Sequence, residues 1–362
     1  MNNMYPQIEI DLKKLETNVK EIVKRCGDKG IKVAGVVKGV NGIPECTKVF
    51  AESGCAFIAS SRTEQLETAR AAGVKLPLLM IRVPMLSEAA EIIRVSDISL
   101  NSEIEVLKAL NREAEKQGKI HEVILMADLG DLREGFWDKT ELLEAALLVE
   151  NELKSLKLAG IGTNLGCYGS ISATTEKMEE LISLAEEIEA ETGRKLDYIS
   201  GGATTSLPRI IEDNMPARIN MLRVGEGMIL GRDLQELWGY DMSYLHTDAF
   251  TLKAEVIEIR NKPSYPVGEI MFDAFGNKPV YEDRGVRKKA LLGLGKMDYA
   301  FPDKIYPRDR GVEILGASSD HTILDVEEAE REIKLGDILE FDVCYASIIY
   351  LTNSQNVKKV MV

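Results

Sequence analysis

Apolar and polar residues alternate along this chain in two different rhythms. From Val33 to Val224, short apolar runs recur with helical segments between them. The runs are Val33–Val37, Ala56–Ala59, Leu78–Ile81, Asp97–Leu100, Val123–Ala127, Leu158–Gly162, Tyr198–Ser200 and Met221–Val224. They lack a polar alternation, as strands buried on both faces do in a parallel sheet. Between them Ile43–Ser53, Thr63–Ala72, Ser87–Val95, Ser102–Gln117, Lys139–Leu153 and Thr174–Thr192 carry Leu, Ile and Ala on one face and charge on the other. Eight such repeats over a little more than 200 residues predict a (β/α)8 barrel. An open doubly wound sheet is the alternative, but KGVNG stands after the first strand instead of its Gly-rich fingerprint.

After about Tyr240 the rhythm changes. Long helical patterns stop, and short runs at Thr251–Ile259, Ala290–Gly295, Val312–Leu315, Ile338–Phe341 and Ala346–Leu351 predict a mostly-β domain. At the start of the chain, Gln7–Leu12 (QIEIDL) alternates as a strand with one wet face, and Lys13–Arg25 is spaced as a helix. The expected organisation is α/β: a barrel over residues 13–239 and a C-terminal β domain over 240–362, joined by the strand in residues 1–12.

Composition narrows the function. A net charge of −14 argues against nucleic-acid and anionic-membrane partners. The opening MNNMYPQIEIDLKK shows no signal-peptide core, and the five scattered cysteines form no C-x-x-C pair. Both features lead us to expect a cytoplasmic protein. The three histidines are far apart, so no metal site is expected.

Functional groups of a βα barrel gather at the C-terminal ends of its strands. Lys38 is expected on the last residue of the first strand, where a desolvated amine would be a Schiff-base former. Asp128–Gly135 (DLGDLREG) follows the fifth strand with Arg133 inside it, and Thr163-Asn164 follow the sixth. Gly201–Ser206 (GGATTS) follows the seventh as a possible phosphate cradle, and Arg223 ends the eighth, ahead of Gly225. An imine-forming lysine opposite a phosphate cradle suggests pyridoxal phosphate or a sugar-phosphate aldolase.

These motifs together resemble the pyridoxal-phosphate enzymes of the alanine racemase type, and within them the alanine/ornithine racemase group. The resemblance runs from IEIDLKKLETNV through VVK, DLGDLREG, GTN and SGGATTS to LRVGEGMILG and GASSDHTILD. It implies that Lys38 binds pyridoxal 5'-phosphate covalently and that Arg133 lies near the cofactor's phenolic oxygen or the substrate carboxylate. It further implies Asn164 against the ring, Gly202, Thr204, Thr205, Gly225 and Glu226 about the phosphate, and Arg223 facing the pyridine nitrogen. The implied activity is amino-acid racemisation, with ornithine as the substrate, through an external aldimine and proton transfer on both faces of Cα. The implied assembly is a homodimer whose β domains complete each other's sites.

One departure stands out. The family's second catalytic base is a tyrosine in a G-Y-A-D turn, where this chain reads Gly295-Lys296-Met297-Asp298-Tyr299. Lys296, Tyr299, His321 and Tyr345 are the candidates for that base, with Lys296 and Tyr299 ranked first, and Asp298 and Asp320 are the candidate partners of a distal substrate ammonium. Two other readings stay open: a metal-assisted D-threonine aldolase or D-serine dehydratase relative, with His321 in SSDH as its faint mark, and a non-catalytic pyridoxal-phosphate carrier.

Overall fold

The computed structural model describes residues 4–362, which form two compact units. One unit is Lys13–His246; the other joins the start of the chain, through Leu12, to Thr247–Val362. Residues 1–3 of the expected opening segment lie outside the described residues.

The chain begins with β1 (Gln7–Ile10) and α1 (Leu12–Gly27). Eight parallel strands follow: β2 (Lys32–Val36), β3 (Phe57–Ser60), β4 (Leu78–Met80), β5 (Ile98–Asn101), β6 (His121–Met126), β7 (Leu156–Gly162), β8 (Tyr198–Ser200) and β9 (Met221–Val224). They close into a barrel in chain order, with Ala34 of β2 paired to Arg223 of β9 at the seam. The predicted (β/α)8 architecture is the observed one. Inside it Ala34, Val36, Phe57, Ala59, Leu79, Leu100, Ile124 and Met126 pack as one cluster. All four residues of β3 and of β9 are buried, which is why those segments read as continuous apolar runs.

The connecting helices are α2 (Pro44–Glu52), α3 (Thr63–Ala71), α4 (Ala89–Val95), α5 (Ile104–Lys116), α6 (Lys139–Asn151), α7 (Thr175–Thr192) and α8 (Leu207–Ile211). On α5 the buried residues Val106, Leu107, Leu110 and Ala114 recur at helical spacing and form its inner stripe. Both long late helices have side-chain caps. Asp138 accepts from the Thr140 amide at 2.7 Å ahead of α6, and Thr174 accepts from the Lys177 amide at 3.3 Å ahead of α7.

The second unit is built on β10 (Phe250–Pro263), with β11 (Val286–Leu292), β12 (Ile305–Pro307), β13 (Glu313–Ala317), β14 (Thr322–Asp325), β15 (Ile338–Val343) and β16 (Lys358–Met361). Its strand path is β12-β15-β10-β11-β14-β13. The opening strand β1 joins this sheet, antiparallel to β10 and parallel to β16. Ile8 and Ile10 are fully buried, while Glu9 points to the wetter side and pairs with Lys253 at 2.8 Å.

Two local expectations are corrected. Ala346–Leu351, expected as a strand, lies within a helix over Tyr345–Leu351. Its buried residues, Ser347, Ile348 and Leu351, share one helical face, and the Ser347 hydroxyl accepts from the Cys344 amide at 3.1 Å to start the turn. A short apolar run does not distinguish the two states by periodicity, and here the cap decides. Lys38 is not the last strand residue either. β2 ends at Val36, and Lys38 opens a 3₁₀ turn over Lys38–Val40.

Candidate active site

Five of the strand-to-helix connections of the barrel unit bring polar side chains to its C-terminal end. The first is the turn after β2. The Val37 amide still bonds Ala59 of β3 at 2.9 Å, so the chain leaves the barrel wall only at Lys38. The Lys38 side chain is partly buried. Burial lowers its pKa; Arg133 and Arg223 act in the same direction, while Cys167 and Glu134 oppose them. The amine is thus biased toward its neutral, nucleophilic form.

On β9 the period-2 alternation puts Arg223 on the same side as Met221, which belongs to the interior cluster. Arg223 is 4% exposed. Its guanidinium donates to the Thr163 carbonyl at 2.8 Å and to the Ser200 hydroxyl, so the ends of β7 and β8 hold it. Burial lowers its pKa to about 10, and it stays a cation at neutral pH.

The turn after β8 is the predicted cradle. Gly202 adopts φ +112°, and a Cβ there would meet the Ser206 hydroxyl at 2.6 Å. Two threonine hydroxyls do different work in it. Thr205 donates to the Leu165 carbonyl at 2.7 Å and ties the turn to the loop after β7. Thr204 accepts from the Gly227 amide at 3.1 Å, which leaves its own proton available to a ligand. Among the described residues, the backbone N–H groups of Gly202, Ala203 and Gly225 donate to no protein acceptor. Three such donors beside a hydroxyl form an anion site. Glu226 turns its carboxyl away, to the amides of Arg232 and Asp233 at 2.8 and 3.2 Å. Its second oxygen is buried without a partner, and burial, reinforced by Asp233, raises the carboxyl pKa to about 7.

The loops after β6 and β7 are locked together by one buried carboxylate. Asp131 is 1% exposed and accepts from the amides of Gly166 at 2.9 Å and Tyr168 at 3.0 Å. Gly169 lies so close that a Cβ would come within 2.6 Å of the Asp131 carbonyl oxygen. Within the loop after β6, Arg133 pairs with Glu134, and Gly135 (φ +131°) passes over the Ala127–Asp128 backbone where no side chain fits. Asn164 is buried, and its side-chain NH₂ has no partner among the described residues.

Lys38, Arg133, Asn164, Gly202, Thr204, Thr205, Arg223, Gly225 and Glu226 thus all belong to one unit, in the last residues of a barrel strand or in the turn, loop or helix start that follows one. Lys296 and Tyr299 belong to the other unit. Lys296 Nζ sits 3.9 Å above the Phe275 ring. Tyr299 is fully buried, shares a 2.6 Å hydrogen bond with the Thr322 hydroxyl, and has its pKa raised to about 12 by burial. Asp298 spends its carboxylate on the Gly295 amide at 3.2 Å and the Ser354 hydroxyl at 2.8 Å. Sequence reasoning did not single out Asp131, Ser200 or Cys167. Asp131 stood inside DLGDLREG, and a second acid in that motif was the available signal.

Residues 10–233 match the family model of the alanine racemase N-terminal domain. Over 356 residues the chain is 39% identical to an ornithine racemase of Acetoanaerobium sticklandii, covering 98% of this chain and 99% of that protein. It is 36% identical over 357 residues to a lysine racemase of Thermotoga maritima, covering 99% and 98%. Among solved structures it resembles the alanine racemase of Bartonella henselae with covalently bound pyridoxal phosphate. That likeness has a TM-score of 0.73 at 15% identity over 99% of this chain and 100% of that one, and it speaks for the fold. The chain belongs to the alanine racemase family.

Proposed function

We propose that this enzyme, an amino-acid racemase, uses pyridoxal 5'-phosphate to interconvert L- and D-ornithine. One observation carries the reading. A desolvated amine, Lys38, lies at the same barrel end as a cradle with three unspent amides and a guanidinium fixed by two strand ends. The donor set fits the cofactor's phosphate, and the unpartnered Asn164 amide and Arg223 fit a polar ring beside it. When bound, pyridoxal phosphate supplies an aldehyde for imine formation and a conjugated ring that accepts electrons from Cα.

The chain's own groups then divide the work. The Gly202, Ala203 and Gly225 amides and the Thr204 hydroxyl hold phosphate. Thr205 fixes that turn to its neighbour. Lys38 would hold the cofactor through its aldehyde carbon, and its amine would carry a proton to or from one face of Cα. Arg223 would present a permanent cation to the ring nitrogen, which would disfavour a proton there and limit how far charge spreads from Cα. That favours return of the proton to Cα, hence inversion. Arg133 offers a cation to the substrate carboxylate. Glu226 contributes backbone only, since its carboxyl is turned away.

The preference for ornithine is supported by the 39% identical ornithine racemase, with lysine as the nearest competitor. We further infer a cytoplasmic homodimer. The five free cysteines suit a reducing compartment. Val267, Met271, Phe272 and Val280, between β10 and β11, expose apolar surface of the kind found at interfaces. The test of the reaction is loss of optical rotation, with Cα deuterium uptake, across ornithine, lysine, arginine, alanine and serine. Ornithine should give the highest kcat/KM. Turnover of alanine alone would remove the substrate assignment, and no Cα exchange in any of them would remove the racemase reading.

A further inference from the structure

Inversion at Cα needs a proton carrier on each face, and Lys38 accounts for one. The tyrosine nearest the expected second position, Tyr299, is buried and bonded to Thr322. We propose that the Cys167 thiol is the second carrier. This rests on the racemase reading above.

The first argument is placement. Lys38 follows β2 and Cys167 follows β7; β8 and β9 lie between them around the barrel. Those two strands carry the cradle and Arg223. A ligand seated on the cradle and Arg223 is therefore flanked by the amine on one side and the thiol on the other. The electrostatics agree. Cys167, Glu134, Arg133 and Arg223 are the groups that act on the Lys38 amine. Two of them are guanidinium cations, and Glu134 is paired to Arg133. Cys167 is the remaining group of the four and carries a free thiol, which makes no hydrogen bond among the described residues.

The second argument is construction. An ordinary exposed cysteine needs no scaffold. Here the amides on either side of Cys167, those of Gly166 and Tyr168, are both held by the buried Asp131 carboxylate. Leu165 is held by Thr205, and Gly169 is seated on the Asp131 backbone. Four neighbours of Cys167 are thus fixed, which sets the direction of its side chain. In the same loop the Asn164 amide is more than nine-tenths buried and has no partner, an independent sign that a ligand belongs against this loop.

The step balances. The Cα–H bond breaks as neutral Lys38 takes the proton from one face, becoming an ammonium. The bonding pair returns to Cα as the Cys167 S–H proton adds to the other face, leaving a thiolate. Proton exchange with water restores amine and thiol. In the reverse direction the thiolate takes the proton and the ammonium gives one.

The five cysteines make the test direct, because Cys26, Cys46, Cys55 and Cys344 are buried and Cys167 is exposed. Iodoacetamide applied to the native enzyme should modify one thiol, mapped by peptide mass to Cys167, and saturating ornithine should slow that modification by about tenfold or more. Cys167→Ala and Cys167→Ser should keep the yellow imine absorbance yet lose about 10²-fold or more in racemisation. In D₂O they should still exchange the Cα proton of one ornithine enantiomer without inverting it, and fail to exchange the other. Wild-type racemisation by Cys167→Ala, or alkylation unaffected by ornithine, overturns the assignment. A wild-type enzyme that exchanges no Cα proton overturns the racemase reading instead, so the two failures are distinguishable.

Discussion

The Arg223 guanidinium donates to the Thr163 carbonyl at 2.8 Å, and so links β9 to the end of β7 across β8. The planar fork carries its donors on separate nitrogens in fixed directions, whereas a lysine offers one compact ammonium that does not reproduce that spacing. Arg223→Lys should leave either the Thr163 carbonyl or the Ser200 hydroxyl without its donor, at a cost of about 1–3 kcal/mol in urea unfolding. Racemisation should fall by at least about tenfold, because the cation no longer has a fixed position.

Asp131→Ala removes two hydrogen bonds to a buried carboxylate. Bonds to charged groups contribute about 1.5–3 kcal/mol each, and partial relaxation of the loop makes about 2–4 kcal/mol the expected total loss. The loop after β7 should loosen while the barrel persists. Alkylation of Cys167 should then become insensitive to ornithine, and kcat should fall more than KM rises. Asp131→Asn, which keeps one good acceptor, should lie between the two.

The barrel was legible because each strand is buried on both faces and each helix on one. That physics writes its period directly into the residues from Val33 to Val224. Lys38, Arg133, Asn164, GGATTS and Arg223 were legible because they interrupt that period at strand ends. Asp131 and Cys167 were not, since nothing local says that a carboxylate after β6 will cap two amides after β7. The Tyr345–Leu351 helix was missed for a related reason. Its apolar run fits either state, and the Ser347 cap settles it only once the turn exists. The strands β12, β14 and β16 are three or four residues long and owe their pairing to β15, β11 and β1 rather than to their own pattern.

Glu226 makes stability fall with pH. Its folded pKa of about 7 lies above the ordinary value of 4.5, so the folded state binds its proton more tightly than the unfolded chain does. Stability from this group is complete below about pH 4.5, declines as pH rises through 7, and is then lost, a span on the order of 3 kcal/mol. Glu226→Gln in the cofactor-free protein should match wild type at pH 4.5 and melt higher at pH 8. Parallel melting curves at both pH values would contradict this.

Tyr299→Phe should cost about 0.5–1.5 kcal/mol, the contribution of one buried hydrogen bond. The Thr322 hydroxyl keeps its 2.9 Å bond to the Leu294 carbonyl, which limits the loss. Racemisation should be unchanged, because the tyrosine hydroxyl is enclosed and partnered. A loss of turnover with an unaltered melting temperature would return Tyr299 to the catalytic machinery.

The central claim is that one amine, desolvated at the end of the barrel, holds the cofactor. Borohydride reduction of the yellow enzyme followed by peptide mass analysis tests it directly. The account predicts a single phosphopyridoxyl adduct on Lys38, absent from Lys38→Ala. An adduct on any other lysine, or undiminished imine absorbance in Lys38→Ala, would contradict it.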